Sequence, residues 1–272
     1  MQKDILDNVL VTGGNGAVAS YIDFGVKTDR SALDITNLDQ VKEVFLKIKP
    51  KFILHLAAET DLAKCEADKG YAYLVNSVGT YNLAIVAKMV GAKMVYVSTD
   101  SVFAHADKQH NLGEEALPES VYGHSKYLGE LAVMSISDDY VIARTSWVFG
   151  GGKEKDKKFV AKFISQLDKT EVSAVDDQRS SPTYARDLVN ALKDLILNNK
   201  SGIFHISNAG VASRYDMAKV IIETLNKETK VLPVSANIFN VPRYQYSSGG
   251  LVGNVDLRSW QEALEEYIKT EW

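Results

Sequence analysis

Short apolar segments alternate with helix-like segments through the first 150 residues, and this alternation restricts the possible folds more than any other feature of the chain. The segments with strand character lie at residues 8–12, 25–28, 52–56, 94–98 and 140–145. Helical patterns lie between them at residues 38–48, 71–90 and 121–134. The segment 52–56 is nearly all apolar, as a strand buried on both faces should be. Because strands that alternate with helices form βαβ units, the sequence predicts an α/β protein with a parallel sheet.

A glycine-rich turn follows the first of these strands. Residues 9–19 read Val-Leu-Val-Thr-Gly-Gly-Asn-Gly-Ala-Val-Ala, a strand, a turn and the start of a helix. Gly13 permits a tight turn, Gly16 lets the backbone approach a pyrophosphate, and Ala19 stands where close packing needs a small residue. An ordinary βα loop can have the same glycines, but at the first strand the pattern predicts a dinucleotide site in a Rossmann-type, doubly wound sheet. The helix is expected to be short, since only residues 17–24 separate Gly16 from the second strand.

A tyrosine and a lysine stand four residues apart in the predicted helix 121–134. Tyr122 and Lys126 therefore face the same way, and Thr99 directly follows the fourth predicted strand. An ammonium beside a phenol favours the phenolate and lowers the tyrosine pKa, so that the phenol can exchange a proton near neutral pH. The Thr99 hydroxyl can hold the same substrate oxygen. The pattern predicts these three residues as catalytic, whereas a surface tyrosine near a solvated lysine is the alternative interpretation.

The polar ends of several strands are expected to form one crevice. Residues 12–16, 57–60, 98–100 and 145–147 each follow a predicted strand directly. Ligands of open parallel sheets bind at the carboxyl ends of the strands. At the end of the second strand, Asp29 can bond a ribose hydroxyl and Arg30 can meet a 2′-phosphate, so both NAD and NADP are expected to bind.

Composition limits the partners of this chain of 272 residues. The formal net charge of -4 argues against nucleic-acid binding, and no apolar stretch is long enough for a membrane helix. The first residues lack the apolar run of a secretory signal, and Cys65, the single cysteine, fits a reducing compartment. The histidines show no paired metal-ligand spacing. We therefore expect a cytoplasmic protein without nucleic-acid, membrane or metal partners.

The composition changes after residue 150. Residues 150–158 read Gly-Gly-Gly-Lys-Glu-Lys-Asp-Lys-Lys, which is typical of a flexible loop and a solvated helix start. A helix is predicted at 159–168, a strand at 171–175 and an extended polar loop at 176–183. A helix at 184–198 and a strand at 202–206 are expected to return to the main sheet. We predict a dinucleotide-binding core of residues 1–150 and 184–207, and a smaller mixed α/β substrate lobe of residues 151–183 and 208–272.

Taken together, these motifs resemble the extended short-chain dehydrogenase/reductases, and within them most closely the dTDP-4-dehydrorhamnose reductases. The resemblance covers nearly the whole chain. It rests on Thr12-Gly-Gly-Asn-Gly16, Asp29-Arg-Ser-Ala-Leu-Asp34-Ile-Thr36, Ala57-Ala58-Glu-Thr60, Asn76-Ser-Val-Gly-Thr80-Tyr-Asn-Leu83, Ser98-Thr-Asp-Ser-Val-Phe103, Tyr122-Gly-His-Ser-Lys126, Arg144-Thr-Ser-Trp-Val-Phe149, Asp177-Gln178 with Pro182-Thr183, and Ser259-Trp-Gln-Glu-Ala-Leu264.

The resemblance implies a role for each matching residue. Tyr122 is expected to donate the proton, Lys126 to hold the ribose and tune the tyrosine, and Thr99 to bond the sugar carbonyl. The residues expected at the substrate are Thr99, Asp100, Trp147 and Gln178. The residues expected at the cofactor are Gly13, Gly16, Ala17, Val18, Asp29, Arg30, Asp34, Ile35, Ala57, Ala58, Glu59, Tyr122 and Lys126. The implied reaction is NADPH- or NADH-dependent reduction of a 4-keto group on a nucleotide-activated deoxysugar, by a monomer or homodimer.

Two alternatives to reduction are considered. The first is dehydration or epimerisation on the same fold, and two observations disfavour it. Dehydratases of this fold carry Asp-Glu after the catalytic threonine, whereas Asp100-Ser101 stands here, and epimerases use a Cys and a His pair that Cys65 does not match in position. A dinucleotide-binding regulatory subunit without catalysis is the other alternative, because the stretch after Phe103 lacks the family's glycine. Residues 242–244 (Pro-Arg-Tyr) stand near the place of a family Arg-Pro pair, and no carboxylate for an intersubunit metal occurs around residues 20–21.

Overall fold

The computed structural model describes residues 2–239 and 249–272, so residues 242–244 lie outside it. The strands, in chain order, are β1 (Val9–Thr12), β2 (Val26–Thr28), β3 (Phe52–His55), β4 (Lys93–Thr99), β5 (Tyr140–Thr145), β6 (Val148–Phe149), β7 (Glu171–Val175), β8 (Arg179–Ser180), β9 (Thr183–Tyr184), β10 (Gly202–His205), β11 (Ala212–Ser213) and β12 (Lys230–Val234). The helices are α1 (Gln2–Asp7), α2 (Leu38–Ile48), α3 (Leu62–Ala67), α4 (Lys69–Tyr73), α5 (Gly79–Val90), α6 (Val121–Ile136), α7 (Gly152–Lys155), α8 (Phe159–Ile164), α9 (Ala185–Leu197), α10 (Arg214–Thr224) and α11 (Trp260–Glu271).

A parallel sheet in the described part of the chain has the strand order β10-β5-β4-β3-β1-β2. The order reverses direction between β1 and β3, where Thr12 pairs with His55. Such a reversal leaves a crevice at the carboxyl ends of the strands, which is where ligands of doubly wound sheets bind. The predicted Rossmann-type, doubly wound α/β fold is confirmed.

Apolar layers cover both faces of this sheet. On one face, Leu188 and Leu192 of α9 pack against buried residues of β1, β4 and β5. On the other face, Phe45 of α2 and Leu83 of α5 pack against Leu10, Ile53 and their neighbours. Because both faces are buried, β1 is apolar along most of its length, as the near-continuous apolar strands of the sequence predicted.

The connection between β1 and β2 differs from the predicted helix. A single 3₁₀ turn at Val18–Tyr21 replaces it, with Ala19 fully buried against the sheet. A parallel crossover usually needs a dozen or more residues, and residues 17–24 are too few for a helix with its two loops. Side chains of α1, including Ile5 and Leu6, join the layer on this face.

Two predicted helices also differ in length or regularity. The helix predicted at 71–90 is divided into α4 and α5 by a wide π-helical turn at Leu74–Val78. The helix predicted at 159–168 ends at Ile164, because the chain turns towards β7. No helix in the described residues is long and apolar enough to cross a membrane.

A second apolar cluster lies beyond β5. It joins Phe163 of α8, Met217 and Ile221 of α10, and Leu264 and Tyr267 of α11. Three short strand pairs accompany it: β6 with β9, β7 with β12, and β8 with β11. The division of the chain into a core and a substrate lobe with the boundaries given above stays a prediction.

The segment 176–183 differs from the extended polar loop that its composition predicted. Residues 179–180 and 183–184 form β8 and β9, and Ser180, Ser181 and Thr183 have no exposed surface. Each buried hydroxyl has a partner: Ser180 donates to Asp100, Ser181 accepts from the Leu251 amide, and Thr183 donates to a backbone carbonyl. Polar side chains can be buried when their hydrogen bonds are satisfied, which composition alone does not reveal.

Candidate functional site

Two adjoining cavities lie at the carboxyl ends of the parallel strands, one of about 790 Å³ and one of about 460 Å³. They share Gly13, Gly16, Leu56 and Ala58 as wall residues. Among the predicted site residues, the larger cavity is also lined by Ala17, Val18, Thr99, Asp100, Tyr122, Lys126, Trp147 and Gln178. The smaller cavity is also lined by Asp29, Arg30, Asp34, Ile35, Ala57 and Glu59. The fold thus brings every residue of the predicted site to one crevice.

The glycine turn is shaped by close contact with the end of β3. Gly13 has a left-handed backbone, with φ of 72°, and a Cβ there would lie 2.8 Å from the Ala57 nitrogen. The Gly16 amide donates to the Gly13 carbonyl at 2.9 Å, which closes the turn. Only glycine at residue 13 lets the turn approach β3 and leaves backbone surface open to the cavity. A narrow, side-chain-free turn of this kind fits a dinucleotide pyrophosphate.

Asp29 and Arg30, which line the smaller cavity, have different surroundings. Asp29 accepts hydrogen bonds from Ser31 and Ala32 and, through its other oxygen, from Asn15, and the Ser31 hydroxyl contributes most to lowering its pKa. Arg30 is 68% exposed and donates to the Tyr71 hydroxyl at 2.8 Å. The carboxylate therefore shapes the loop, while the guanidinium is open to solvent at the cavity wall.

Asp34 and Ile35 also shape this wall. Asp34 accepts from both the amide and the hydroxyl of Thr36, which holds its pKa below the usual range. The Ile35 carbonyl accepts from Asn82, and the side chain packs where a Cβ on Gly79 would lie 2.7 Å from it. Both residues are therefore held in place by neighbouring elements.

Residues 57–59 line the seam between the two cavities. The Ala57 amide donates to Thr12 Oγ1 at 3.2 Å, and the Glu59 amide donates to Asn76 Oδ1 at 2.8 Å. The Glu59 carboxylate pairs with Lys64 at 2.5 Å. The backbone of this strand end is thus held from both sides.

The first turn of α6 carries Tyr122 to the larger cavity. Ser120 caps this helix by accepting from the Gly123 amide at 3.0 Å. Lys126, one turn further on, is only 3% exposed; its Nζ donates to the Val97 carbonyl at 2.8 Å and lies 4.1 Å from the centroid of the Tyr96 ring. Burial lowers the pKa of Lys126 to about 7, although the Glu130 carboxylate opposes this shift.

The pKa of Tyr122 differs from the expectation. Burial raises it above its ordinary value, and the nearby Asp100 carboxylate raises it further, while contact with the Thr99 hydroxyl lowers it. The prediction that the pKa of Tyr122 is lowered is wrong, because loss of water around the phenol outweighs the favourable contacts. The phenol therefore keeps its proton at neutral pH, which suits a proton donor.

Thr99 and Asp100 form a hydrogen-bonded unit at the end of β4. Thr99 Oγ1 donates to Asp100 Oδ1 at 3.2 Å and accepts from the Ser101 amide at 3.1 Å. Asp100 Oδ2 accepts from Ser146 at 2.6 Å and from Ser180 at 2.8 Å. The carboxylate thus ties β4 to the segment after β5 and to β8, and it fixes the threonine beside Tyr122.

A network of buried polar side chains links the elements that form this wall. His55 interacts with Thr12 at 2.7 Å and with Thr80 at 3.0 Å, and burial holds its pKa well below the ordinary value. Asn76, in the π-helical turn, donates to Ser125 Oγ at 3.0 Å. The network connects the glycine turn to the helix that carries Tyr122 and Lys126, so that these elements are held together by paired polar groups.

The far end of the larger cavity is aromatic and basic. Trp147 has a left-handed backbone with φ of 39°, which turns its ring to the cavity wall. The Gln178 Nε2 atom is buried and has no hydrogen-bond partner among the described residues. Arg214, which the sequence motifs did not indicate, places its guanidinium 3.5 Å from the centroid of the Trp147 ring. Ser180 was also missed, because nothing in its local sequence marks it, whereas Ser146 lies in the segment 145–147 that was expected at the crevice.

Comparison with known proteins agrees with this architecture. The family described as the RmlD substrate binding domain matches residues 7–271. The chain belongs to this family. It is 33% identical to the spore coat polysaccharide biosynthesis protein SpsK of Bacillus subtilis, over 97% of this chain and 98% of that protein. It is 31% identical to the dTDP-4-dehydrorhamnose reductase of Mycolicibacterium smegmatis, over 96% and 84%.

Solved structures of family members have the same fold. The dTDP-4-dehydrorhamnose reductase from Bacillus anthracis, in complex with NADP, superposes with a TM-score of 0.87 at 35% identity, over 96% of this chain and 99% of that one. The Clostridium acetobutylicum dTDP-4-dehydrorhamnose reductase gives 0.89 at 33% identity, over 96% and 98%. The resemblance to this reductase family that the sequence motifs indicated is confirmed.

Proposed function

We propose that the protein is a reductase that uses NADPH or NADH to reduce a 4-keto group on a dTDP-linked deoxysugar. One observation carries this proposal: Tyr122 and Thr99 share a wall of a cavity that runs from the glycine turn to Trp147. Relatives named dTDP-4-dehydrorhamnose reductase match nearly the whole chain, and one solved relative is described in complex with NADP.

The crevice fits a nicotinamide dinucleotide. Gly13 and Gly16 would hold the pyrophosphate, Ile35 and Ala57 would line the adenosine, and Lys126 would face the nicotinamide ribose. The bound dinucleotide supplies the hydride for the reduction, while the protein supplies orientation and electrostatics. The Arg30 guanidinium, open to solvent, would attract a 2′-phosphate.

The proton is supplied by Tyr122 in this proposal. The raised pKa keeps the phenol protonated until the sugar carbonyl oxygen gains negative charge and becomes the stronger base. The proton then passes to that oxygen, and the phenolate that remains is stabilised by the ammonium of Lys126, one helical turn away. Thr99, held by Asp100 and the Ser101 amide, positions the phenol and the substrate oxygen.

Neither alternative reaction on this fold gains support from the site. The Cys65 thiol is fully buried, and burial raises its pKa to about 11, so it is a poor base for epimerisation. Ser101 stands where a dehydratase would carry an acid, and its amide is used to hold Thr99. No described contact around these two residues favours dehydration or epimerisation over reduction.

The test is NADPH oxidation with a panel of dTDP-linked 4-keto sugars, with Tyr122→Phe as the decisive variant. We expect kcat to fall by about 10²- to 10⁴-fold, because the proton donor is removed, with NADPH affinity unchanged. Tyr127→Phe, on the same helix but outside both cavities, is the matched control and should keep parental activity. A Tyr122→Phe protein that reduces the sugar at the parental rate would exclude Tyr122 as the acid.

A further inference from the structure

Arg214 lines the larger cavity, and its guanidinium has few polar partners among the described residues. It is the first residue of α10 and lines the cavity beside Trp147, Phe159 and Met217. Its guanidinium lies 3.5 Å from the centroid of the Trp147 ring and 5.0 Å from that of Phe159. The aromatic rings hold the planar group in one orientation, as arginine stacking does elsewhere.

No carboxylate lies within ion-pair distance of this guanidinium in residues 2–239 and 249–272. Its one hydrogen bond in that part of the chain is to the Met217 sulfur, at 3.6 Å, and a thioether is a weak acceptor. Arg144 and Arg258, by contrast, are each paired with carboxylates. Loss of water lowers the pKa of Arg214 to about 9, and the more distant Asp100 and Asp156 offset this only in part.

The nearby carboxylates are already engaged. Asp100 accepts from Ser146 and Ser180, and Asp156 accepts from Tyr267 and from the Lys158 amide. A desolvated cation without a close counter-ion is unfavourable, so the arrangement is explained most simply by a ligand that supplies the negative charge.

A second donor lies next to Arg214. Ser213 is opposite Arg179 in the antiparallel pair of β8 and β11, and Arg214 and Gln178 are the chain neighbours of these two paired residues. The Gln178 amide nitrogen is buried without an acceptor and also lines the larger cavity. One donor without an acceptor and one with only a thioether acceptor therefore line the same cavity, and the side chains of Lys155 and Lys158 add positive charge to its wall.

Building on the proposed function, we propose that Arg214 and Gln178 form the subsite for the diphosphate of the nucleotide sugar, with Trp147 as the platform that orients the guanidinium. Phosphate oxygens are acceptors only, and the guanidinium fork and the amide nitrogen donate to them. The diphosphate is the anionic part of such a substrate, so this subsite sets how far the sugar reaches towards Tyr122.

Isothermal titration with dTDP and with thymidine tests this subsite. We expect Arg214→Gln to weaken dTDP binding about 10- to 100-fold, the range for loss of a hydrogen bond to a charged group, while thymidine and NADPH affinities stay unchanged. Arg214→Lys keeps the charge but loses the fork geometry, so its loss should be intermediate. Lys219→Gln is the matched control, because Lys219 lies on the same helix, over the Tyr215 ring, but outside the cavities.

Two further readouts separate binding from a structural role. With a dTDP-linked 4-keto sugar, Arg214→Gln should raise KM and leave kcat within a few-fold. Its Tm should be equal to or above that of the parent, because no ion pair is lost in the described structure. A Tm well below the parent would instead mark Arg214 as a structural residue and overturn the proposal.

The outcomes also separate this proposal from the proposed function. Equal dTDP affinity in the parent and Arg214→Gln would overturn the diphosphate subsite and leave the reductase function standing. A loss of NADPH affinity with unchanged dTDP affinity would assign Arg214 to the cofactor site and would also overturn the diphosphate subsite. A parent protein that neither binds dTDP nor reduces any dTDP-linked sugar would overturn both proposals.

Discussion

Gly123 lies between the two groups that are proposed to act on the substrate carbonyl. It follows Tyr122 in the first turn of α6, and a Cβ on it would lie 2.0 Å from the Ser101 carbonyl oxygen and 2.9 Å from its carbonyl carbon. The Ser101 amide in turn donates to Thr99 Oγ1. A methyl group at Gly123 must therefore push apart the helix that carries Tyr122 and the turn that holds Thr99.

The size of this displacement follows from the contact distance. Real Cβ atoms essentially never lie closer than 3.0 Å to such atoms, so Gly123→Ala must widen this contact from 2.0 Å to at least 3.0 Å. Misplacing a catalytic group by about 1 Å can cost about 10²-fold in rate. We therefore expect Gly123→Ala to lower kcat about 100-fold, with the fold retained.

Steady-state NADPH oxidation with the dTDP-linked 4-keto sugar measures this effect. The matched control is Gly70→Ala in α4, where the nearest atom to a new Cβ is Asp68 Oδ1 at an ordinary 3.7 Å. That variant should keep its activity and gain a little stability, because alanine is the better helix former. Circular dichroism and thermal melting of both variants show whether the fold is kept.

A double-mutant cycle can refute the reasoning. If Gly123→Ala acts by separating Tyr122 from Thr99, it should cost little in a protein that already carries Tyr122→Phe, because the misplaced proton donor is gone. Losses in kcat that multiply in the double variant would show that Gly123→Ala acts by another route. Parental activity of the single variant would show that the helix start can move without consequence.

Three further outcomes are expected. Both cofactors should bind, with a modest preference for NADPH, because Asp29 accepts hydrogen bonds within its own loop while Arg30 is open to solvent. Fluorescence titration measures the two affinities, and a hundredfold preference for NADH would contradict this expectation. Since burial lowers the Lys126 pKa from 10.5 to about 7, the unfolded chain holds the extra proton between these values, so the free energy of unfolding should rise with pH above about 7. In denaturant titrations at several pH values, the free energy of unfolding of Lys126→Met should rise less steeply with pH than that of the parent. Equal slopes in the variant and the parent would contradict this expectation. Hydrogen exchange should slow at residues 153–158 and around Gln178 when a dTDP-sugar saturates the protein; unchanged exchange would remove these segments from the binding site.

The parts of the fold that follow from neighbouring residues could be predicted. The bounds of α2, β5 and β7 agree with the apolar patterns, because local periodicity and propensity determine them. The glycine turn and the Tyr122–Lys126 spacing are local features as well. They indicated a dinucleotide crevice and a phenol on its wall before any contact between distant residues was considered.

Other features depend on segments that are far apart in the chain. The burial of Ser180 depends on Asp100, eighty positions away, and the raised pKa of Tyr122 depends on how much water the surrounding elements exclude. The extended polar loop predicted at 176–183 instead contains two short strands and buried hydroxyls. The lowered tyrosine pKa that the lysine spacing predicted was wrong.

The sequence by itself determined the class of fold, the position of the glycine turn and the residue types at the reacting end of the crevice, since patterns of neighbouring residues along the chain encode each of them. Only the tertiary structure set Arg214 against Trp147 and on the same cavity as Gln178, and replaced the first crossover helix with a 3₁₀ turn. The physical reason is that desolvation and charge pairing depend on which elements pack together, and neither is a property of local sequence.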